Sequence, residues 1–514
     1  MVLDYIILVL YAISMIAVAI YTKNRSGSVN DFLMAGKKGL NGWMTAFAYG
    51  TTYFSAVIFI GYAGQFGRSF GLASVWIGIG NAIIGTLIAW LVLAKRTKNM
   101  TQRLSAKTMP EFFEKRYGSE KLKVVSAIII FVFLIPYSAS VYNGISSLFE
   151  TVFGIPGWIV MIVLAALTAL YLFFGGYFAT ALSDFIQGII MIVGVVCMIF
   201  CFMNHENVNW DISKLVNDPN LTWFTFNSDN NAGLYGDTVS LISLILLTSL
   251  GVWALPQTVH KYYAIRDKKA ITQGVVVSTV FALVIGFIAY FTGALSAFFP
   301  EVADVKDAFV VPTMLSIAIP AGLTGIIAVL ILSASMSTLS SVSLAGASVI
   351  AIDLYKGTAK KGASDKNVNT VMRLLCLVFV VISVVLAILN EKFGIAAIAY
   401  MMGISWGTLA GCFMGPYVLG VVWKKVTRSA VWSSIISSLV LTVALIIIFG
   451  YDKNGWECSF GTALQSGVQT SPLIGVICML FSIAITVIVS LLTKKPDKEL
   501  LYEAFDKPYD GEIK

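Results

Sequence analysis

Seven hydroxyls fall within eleven residues in the stretch "SASMSTLSSVSLAGAS", which follows the apolar run "AGLTGIIAVLIL": Ser333, Ser335, Ser337, Thr338, Ser340, Ser341 and Ser343. On a helix, Ser333, Ser337, Ser340 and Ser341 share one side, and Ala334, Thr338, Ser341 and Ala345 form an overlapping stripe. Close helix packing asks for small residues, but Gly and Ala meet that need. Hydroxyls at this density read as oxygen ligands for a hard cation, which favours hydroxyls, carbonyls and carboxylates. A carboxylate to complete such a cage stands in "GGYFATALSDFIQGIIMIVG". There Asp184 lies about one and a half turns into another apolar run, and no other acid of the 27 falls clearly at such depth. Since no Lys or Arg falls at its depth in any apolar window, its partner is expected to be a bound ion, with Ser340 and Ser341 as co-ligands.

Composition identifies the solvent of the elements that must hold these groups. Of 514 residues, 58% are hydrophobic and 12% charged, whereas a soluble chain carries about 25% charged residues. A polytopic, all-α membrane protein follows. Windows of about 20 apolar residues, the length of one crossing, fall near 3–22, 42–66, 72–94, 122–150, 156–175, 178–203, 238–260, 271–299, 320–351, 370–390, 394–423, 427–449 and 471–493. Thirteen transmembrane helices are thus predicted. The first begins without a basic leader or a small-residue cleavage site and is expected to stay in the membrane.

Basic residues mark the cytoplasmic side. With the N-terminus outside and the C-terminus, 494–514, in the cytoplasm, 30 of the 35 Lys and Arg lie on the cytoplasmic side, and only Arg68, Lys214, Lys306, Lys392 and Lys453 on the other. The net charge of +8 is then a topology signal of a cell-membrane protein and not a nucleic-acid footprint. The longest loop, about 204–237, is acidic and expected outside. The six cysteines are scattered, five of them in apolar windows, and read as packing residues.

Two windows are flawed in matching ways. The second contains "AYGTTYFSAVIFIGYAGQFG", interrupted by Gly50, Thr51, Thr52, Tyr53 and Ser55, and the seventh contains "TSLGVWALPQTVHKYY", interrupted by Gly251 and Pro256. Proline frees an upstream carbonyl, and broken backbone at membrane depth is tolerated where it is buried or lines a cavity. Five spans separate the breaks. Two five-helix halves, 42–203 and 238–423, therefore begin on opposite membrane sides, the inverted repeat of secondary transporters. The helix at 3–22 and the pair at 427–493 lie outside this core.

The chain resembles the sodium/solute symporters, on their proline and pantothenate permease side. The resemblance rests on "FSAVIFIG", "FGGYFATALSDFIQG", "LPQTVHKYYAI", "ASMSTLSS" and "GCFMGPYVLGVVWKKVTR", in that order along the chain. It implies a core like that of the neurotransmitter-sodium symporters, with sodium as the coupling ion and alternating access to a small-molecule substrate. The family's main sodium site would correspond to the carbonyls of Thr51, Phe54 and Ala334 with the hydroxyls of Ser337 and Thr338. A second site, present in some members, would correspond to Asp184, Ser340 and Ser341. The solute would lie beside the first break, among Tyr53, Ser55, Gln65, Tyr137, Asn143, Trp253, Gln257 and Trp406.

Sugar-carrying relatives place polar or acidic groups just after the Ser-Ala of the first break. Here Val57 and Ile58 follow Ser55 and Ala56, so an amino acid or organic carboxylate is expected, with a sugar or sugar acid the alternative. Arg68, on the external side, could attract an anion. A cation channel also uses oxygen-lined faces but does not need two opposed broken helices. A membrane enzyme would need a catalytic cluster, yet His205 lies in an external loop, His260 at the end of a span, and no nucleophile or metal-ligand spacing occurs.

Overall fold

The computed structural model describes residues 2–23, 29–34, 40–224, 237–509 and 513. Residues 225–236 of the expected external loop lie outside the described residues, as do 24–28 and 35–39 between the first two apolar windows. Among the described residues there is no β-strand. The principal helices are α1 (Val2–Thr22), α2 (Gly42–Tyr53), α3 (Val57–Arg103), α4 (Glu120–Phe153), α5 (Gly157–Asn204), α6 (Thr238–Ala254), α7 (Pro256–Tyr263), α8 (Lys268–Phe298), α9 (Thr324–Ala359), α10 (Asp365–Phe393), α11 (Ile398–Val422), α12 (Arg428–Asn454) and α13 (Ser471–Leu492).

Ten of these are long and apolar enough to cross a membrane, or eleven if the bent pair α6–α7 is one span. That count differs from the thirteen windows. Part of the reason is local: α3 and α5 run for 47 and 48 residues, more than twice the ~20 of one crossing. Each contains a glycine with positive φ, Gly71 at 54° and Gly176 at 58°. At Gly176 a side chain would also strike the ring of Phe32, so the turn there depends on glycine twice over.

Side-chain caps set many helix starts. Asn41 accepts from the Met44 N–H, Asp267 from the Ala270 N–H, Thr108 from the Glu111 N–H and Thr427 from the Ala430 N–H. Each satisfies a donor that the first turn would leave open. Helix ends follow the complementary rule, with left-handed glycines at Gly118, Gly154 and Gly394.

Burial ranks the helices. The apolar window of α9 is 89% buried, whereas those of α1 and α12 are 28% buried. The hydroxyl-bearing helix therefore runs through the middle of the bundle, packed by α1, α2, α4, α5 and α10. Helices α12 and α13 pack on each other and on α11, at the flank. Two interruptions face this centre. Between α2 and α3 the backbone becomes extended at Phe54 (φ −105°, ψ 117°), and between α6 and α7 it does so at Leu255 (φ −78°, ψ 124°) with a 46° bend. The segment before α2 is tied to the end of α7 by a bridge from the Leu40 N–H to the Ala264 carbonyl.

Candidate functional site

A helix that stops inside a protein leaves its last carbonyls without intrahelical donors and presents a negative dipole end. At the end of α2 those carbonyls point at α9. The Ser337 hydroxyl lies 3.1 Å from the Thr51 carbonyl and 3.0 Å from that of Ala334. The Thr338 hydroxyl lies 3.4 Å from the Thr52 carbonyl and 3.1 Å from the same Ala334 oxygen. Hard cations of calcium's size hold oxygens at about 2.3–2.6 Å, which gives cage edges of about 3.2–3.7 Å. Three of the four observed spacings, at 3.0–3.1 Å, fall just below that range and the fourth, at 3.4 Å, lies within it. Three carbonyls and two hydroxyls carry no formal charge, so the set suits a monovalent ion. The carbonyl of Thr52 meets α9 where the resemblance places that of Phe54, whose ring packs against Tyr53 and Phe281.

The second expected site differs from the sequence reading. Asp184 has a cationic neighbour within the chain, where none was expected: Lys261 Nζ lies 3.4 Å from its Oδ2, with both side chains buried. The same ammonium donates to Ser341 Oγ at 2.8 Å and stands 5.2 Å from the Tyr177 ring centroid. Near the basic end of its window, Lys261 reads in sequence as a cytoplasmic-side residue. The bend at Leu255 turns α7 inward and carries the ammonium to α5 and α9. Ser340 is drawn elsewhere, its hydroxyl donating to the Ser337 carbonyl at 2.9 Å. Ser341 Oγ is also 3.0 Å from Thr52 Oγ1, so a polar chain runs from Asp184 through Lys261, Ser341 and Thr52 to the carbonyls facing Ser337 and Thr338.

The residues expected around a solute fall into groups. Beside the first break, Trp406 packs against Tyr53 at 6.1 Å and edge-on to Tyr137 at 5.5 Å. The Tyr137 hydroxyl lies beside Ser55 and Thr338, while Ser55 Oγ accepts from the Val57 N–H at 3.3 Å. Gln257 is in the first turn of α7, and its side-chain oxygen is buried without a hydrogen-bond partner, as are the Tyr137 hydroxyl and the Trp406 indole nitrogen. Tyr53 spends its hydroxyl on the Thr248 carbonyl at 2.5 Å, bridging α2 to α6.

The other three are not brought into this group. Trp253 is half-buried and donates to the Ile84 carbonyl. Gln65 donates to the Tyr400 hydroxyl at 2.7 Å. Asn143 donates to the Ala387 carbonyl, accepts from Asn390, and lines a cavity of about 680 Å³ with Arg68, Glu150, Asp307 and Glu391. Arg68 is not a free anion trap, because it pairs with Asp307 and donates to the Val305 carbonyl at 2.8 Å.

On the lysine-rich face hydrogen bonds tie neighbouring elements together. Asp353, buried in the last turns of α9, accepts twice from the Thr108 hydroxyl at 2.9 and 2.8 Å. Lys98 donates to the Tyr263 carbonyl, and Arg116 to the carbonyls of Gly420 and Lys424. Asp353 escapes the sequence reading because the apolar window ends at 351 while the helix continues to Ala359.

A bundle with two interrupted helices, one of them presenting its terminal carbonyls to a hydroxyl-lined central helix, is the core of a cation-coupled membrane transporter. A profile of the sodium:solute symporter family matches residues 32–437, and the chain belongs to that family. It is 29% identical to the osmoregulated proline transporter OpuE of Bacillus subtilis (strain 168), over 95% of this chain and 94% of that one. It is 26% identical to a sodium/proline symporter of Staphylococcus aureus, over 96% and 93%.

Among solved structures, a Na+-coupled sialic acid symporter matches with a TM-score of 0.77 at 16% identity, over 96% of this chain and 98% of that one. MhsT in complex with L-phenylalanine matches at 0.50 and 13%, over 86% and 98%. At these identities the likeness is one of fold, and the fold is neurotransmitter-sodium-symporter-like. The protein is a multi-pass membrane symporter, not an enzyme, and it couples a small organic solute to sodium.

Proposed function

We propose that this chain takes up a small zwitterionic amino acid of proline's kind, driven by sodium held between the end of α2 and the hydroxyls of α9. The observation that carries the ion site is the meeting of the Thr51 and Thr52 carbonyls with Ser337 and Thr338. The same break supports the solute class. Past Phe54 the chain re-enters a helix whose first N–H groups form a positive end suited to a carboxylate. Tyr53, Tyr137 and Trp406 supply apolar faces for a compact ring, and the Gln257 oxygen is an acceptor for an ammonium. The names of the proline-transporting relatives agree with this assignment.

In the same account 42–203 and 238–423 are the two inverted repeats, and the helix at 3–22 and the pair at 427–493 are peripheral. The N-terminus lies outside and the basic face in the cytoplasm, as the distribution of Lys and Arg supports. The 680 Å³ cavity, lined by Arg68 and Lys306, then opens outward. Purified protein in liposomes, offered a radiolabelled panel of amino acids, short organic acids and hexoses under a sodium gradient, tests the assignment. Proline is expected to accumulate, and hexose uptake with none of the acids would overturn the solute class.

A further inference from the structure

Asp184 is a carboxylate in the interior of the bundle, and burial of such a charge requires a counter-charge. Lys261 provides one from the chain itself. Its ammonium sits 3.4 Å from Asp184 Oδ2 and 2.8 Å from Ser341 Oγ, against the face of the Tyr177 ring, with Lys261 and Asp184 both fully enclosed. These are the partners a small cation would take at that point: a carboxylate oxygen, a hydroxyl and an aromatic face. One acid and one ammonium sum to zero. Adding sodium beside them would leave an uncompensated positive charge in a site without water access, whereas sodium in place of the ammonium would need Lys261 to leave. Its tether is short for that, since Lys261 lies in an eight-residue helix, Pro256–Tyr263, pinned by the break at Leu255 and by the bridge from Leu40 to Ala264.

We propose that the Lys261 ammonium is the resident cation of the Asp184 site, so that this chain binds one sodium, at Ser337 and Thr338, and excludes a second with a charge of its own. Asp184 Oδ1, buried with no hydrogen-bond partner, is the ligand that a sodium would gain if the ammonium were removed. Ser341 and Thr52 link the two sites, so the tethered charge also positions the α2 end that faces the transported ion. The inference rests on the sodium-coupled reading above.

Equilibrium binding of radioactive sodium to the purified protein in detergent tests it without reference to the solute. One ion per chain is expected for the parent and for Lys261→Arg. Two are expected for Lys261→Ala, which vacates the carboxylate, and one again for Lys261→Ala combined with Asp184→Asn. Two ions in the parent would overturn the proposal, as would one ion in a folded Lys261→Ala variant. If Lys261→Ala does not fold, the parent count decides alone. A parent that binds no sodium would remove the sodium reading itself, and the proposal with it.

Discussion

Ser337 and Thr338 each stand within 3.0–3.4 Å of two carbonyls, so their hydroxyls have local partners whether or not an ion is bound. Replacing both by Ala should therefore leave the fold intact while removing two of five oxygens from the cation. Hydrogen bonds and ligations to charged groups are worth about 1.5–3 kcal/mol. The sodium concentration for half-maximal uptake should rise at least about tenfold in the double variant, by the equivalence of ~1.4 kcal/mol to a factor of ten. A sodium titration of uptake checks this, and an unchanged midpoint at normal expression would disprove the site.

Asp184 and Lys261 behave differently because each is the other's charge partner. Removing one member of a buried pair costs about 3–5 kcal/mol, whereas removing both is far less harmful. Asp184→Asn alone should lower the melting temperature in detergent markedly, and Asp184→Asn with Lys261→Met should recover most of the loss. Equal melting for single and double variants would mean that the pair is not coupled. The sequence shows the acid, because one carboxylate stands out in an apolar run. It does not show the lysine, because two residues 77 apart in the chain meet only through the inward tilt of α7.

Helix crossings without side chains between them fix where these groups sit. A Cβ on Gly78 would come within 2.6 Å of the Gly286 backbone, and one on Gly293 within 2.0 Å of the Ala63 carbonyl, so α3 and α8 touch backbone to backbone at two levels. Backbone cannot swing aside as a side chain can. Gly78→Val should therefore destabilise by about 1–3 kcal/mol, the usual range for overpacking, while Gly461→Ala, whose nearest neighbour is 3.9 Å away, should not. Thermal unfolding of the two variants side by side tests the contrast, and equal melting would refute it.

At this scale the sequence is most legible where backbone chemistry dictates form. The breaks at Phe54 and Leu255 are foreshadowed by the clusters around Gly50 and Pro256. Helix ends are less so: α9 runs eight residues past its apolar window, through Asp353 to Ala359, because a buried Thr108 hydroxyl satisfies the acid there. Windows at 72–94 and 178–203 follow positive-φ glycines, Gly71 and Gly176, where the backbone leaves helical geometry, so each apolar run of 47 and 48 residues is two helices joined at a turn.

For the molecule as a whole, the arrangement of a buried hydroxyl helix, two broken helices and a cavity on one face has meaning only if solute and sodium move together. One sodium entering down a membrane potential releases about 2.3 kcal/mol per 100 mV, and a tenfold sodium gradient adds ~1.4 kcal/mol. That is enough to hold an uncharged or zwitterionic solute several hundredfold above its outside concentration. The most direct test is uptake of radiolabelled proline into liposomes containing only this protein, under an inward sodium gradient with a negative interior. The account predicts transient accumulation well above the outside concentration, abolished when potassium replaces sodium or when a sodium ionophore is added. Uptake that only equilibrates, at the same rate with sodium or potassium outside, would contradict it.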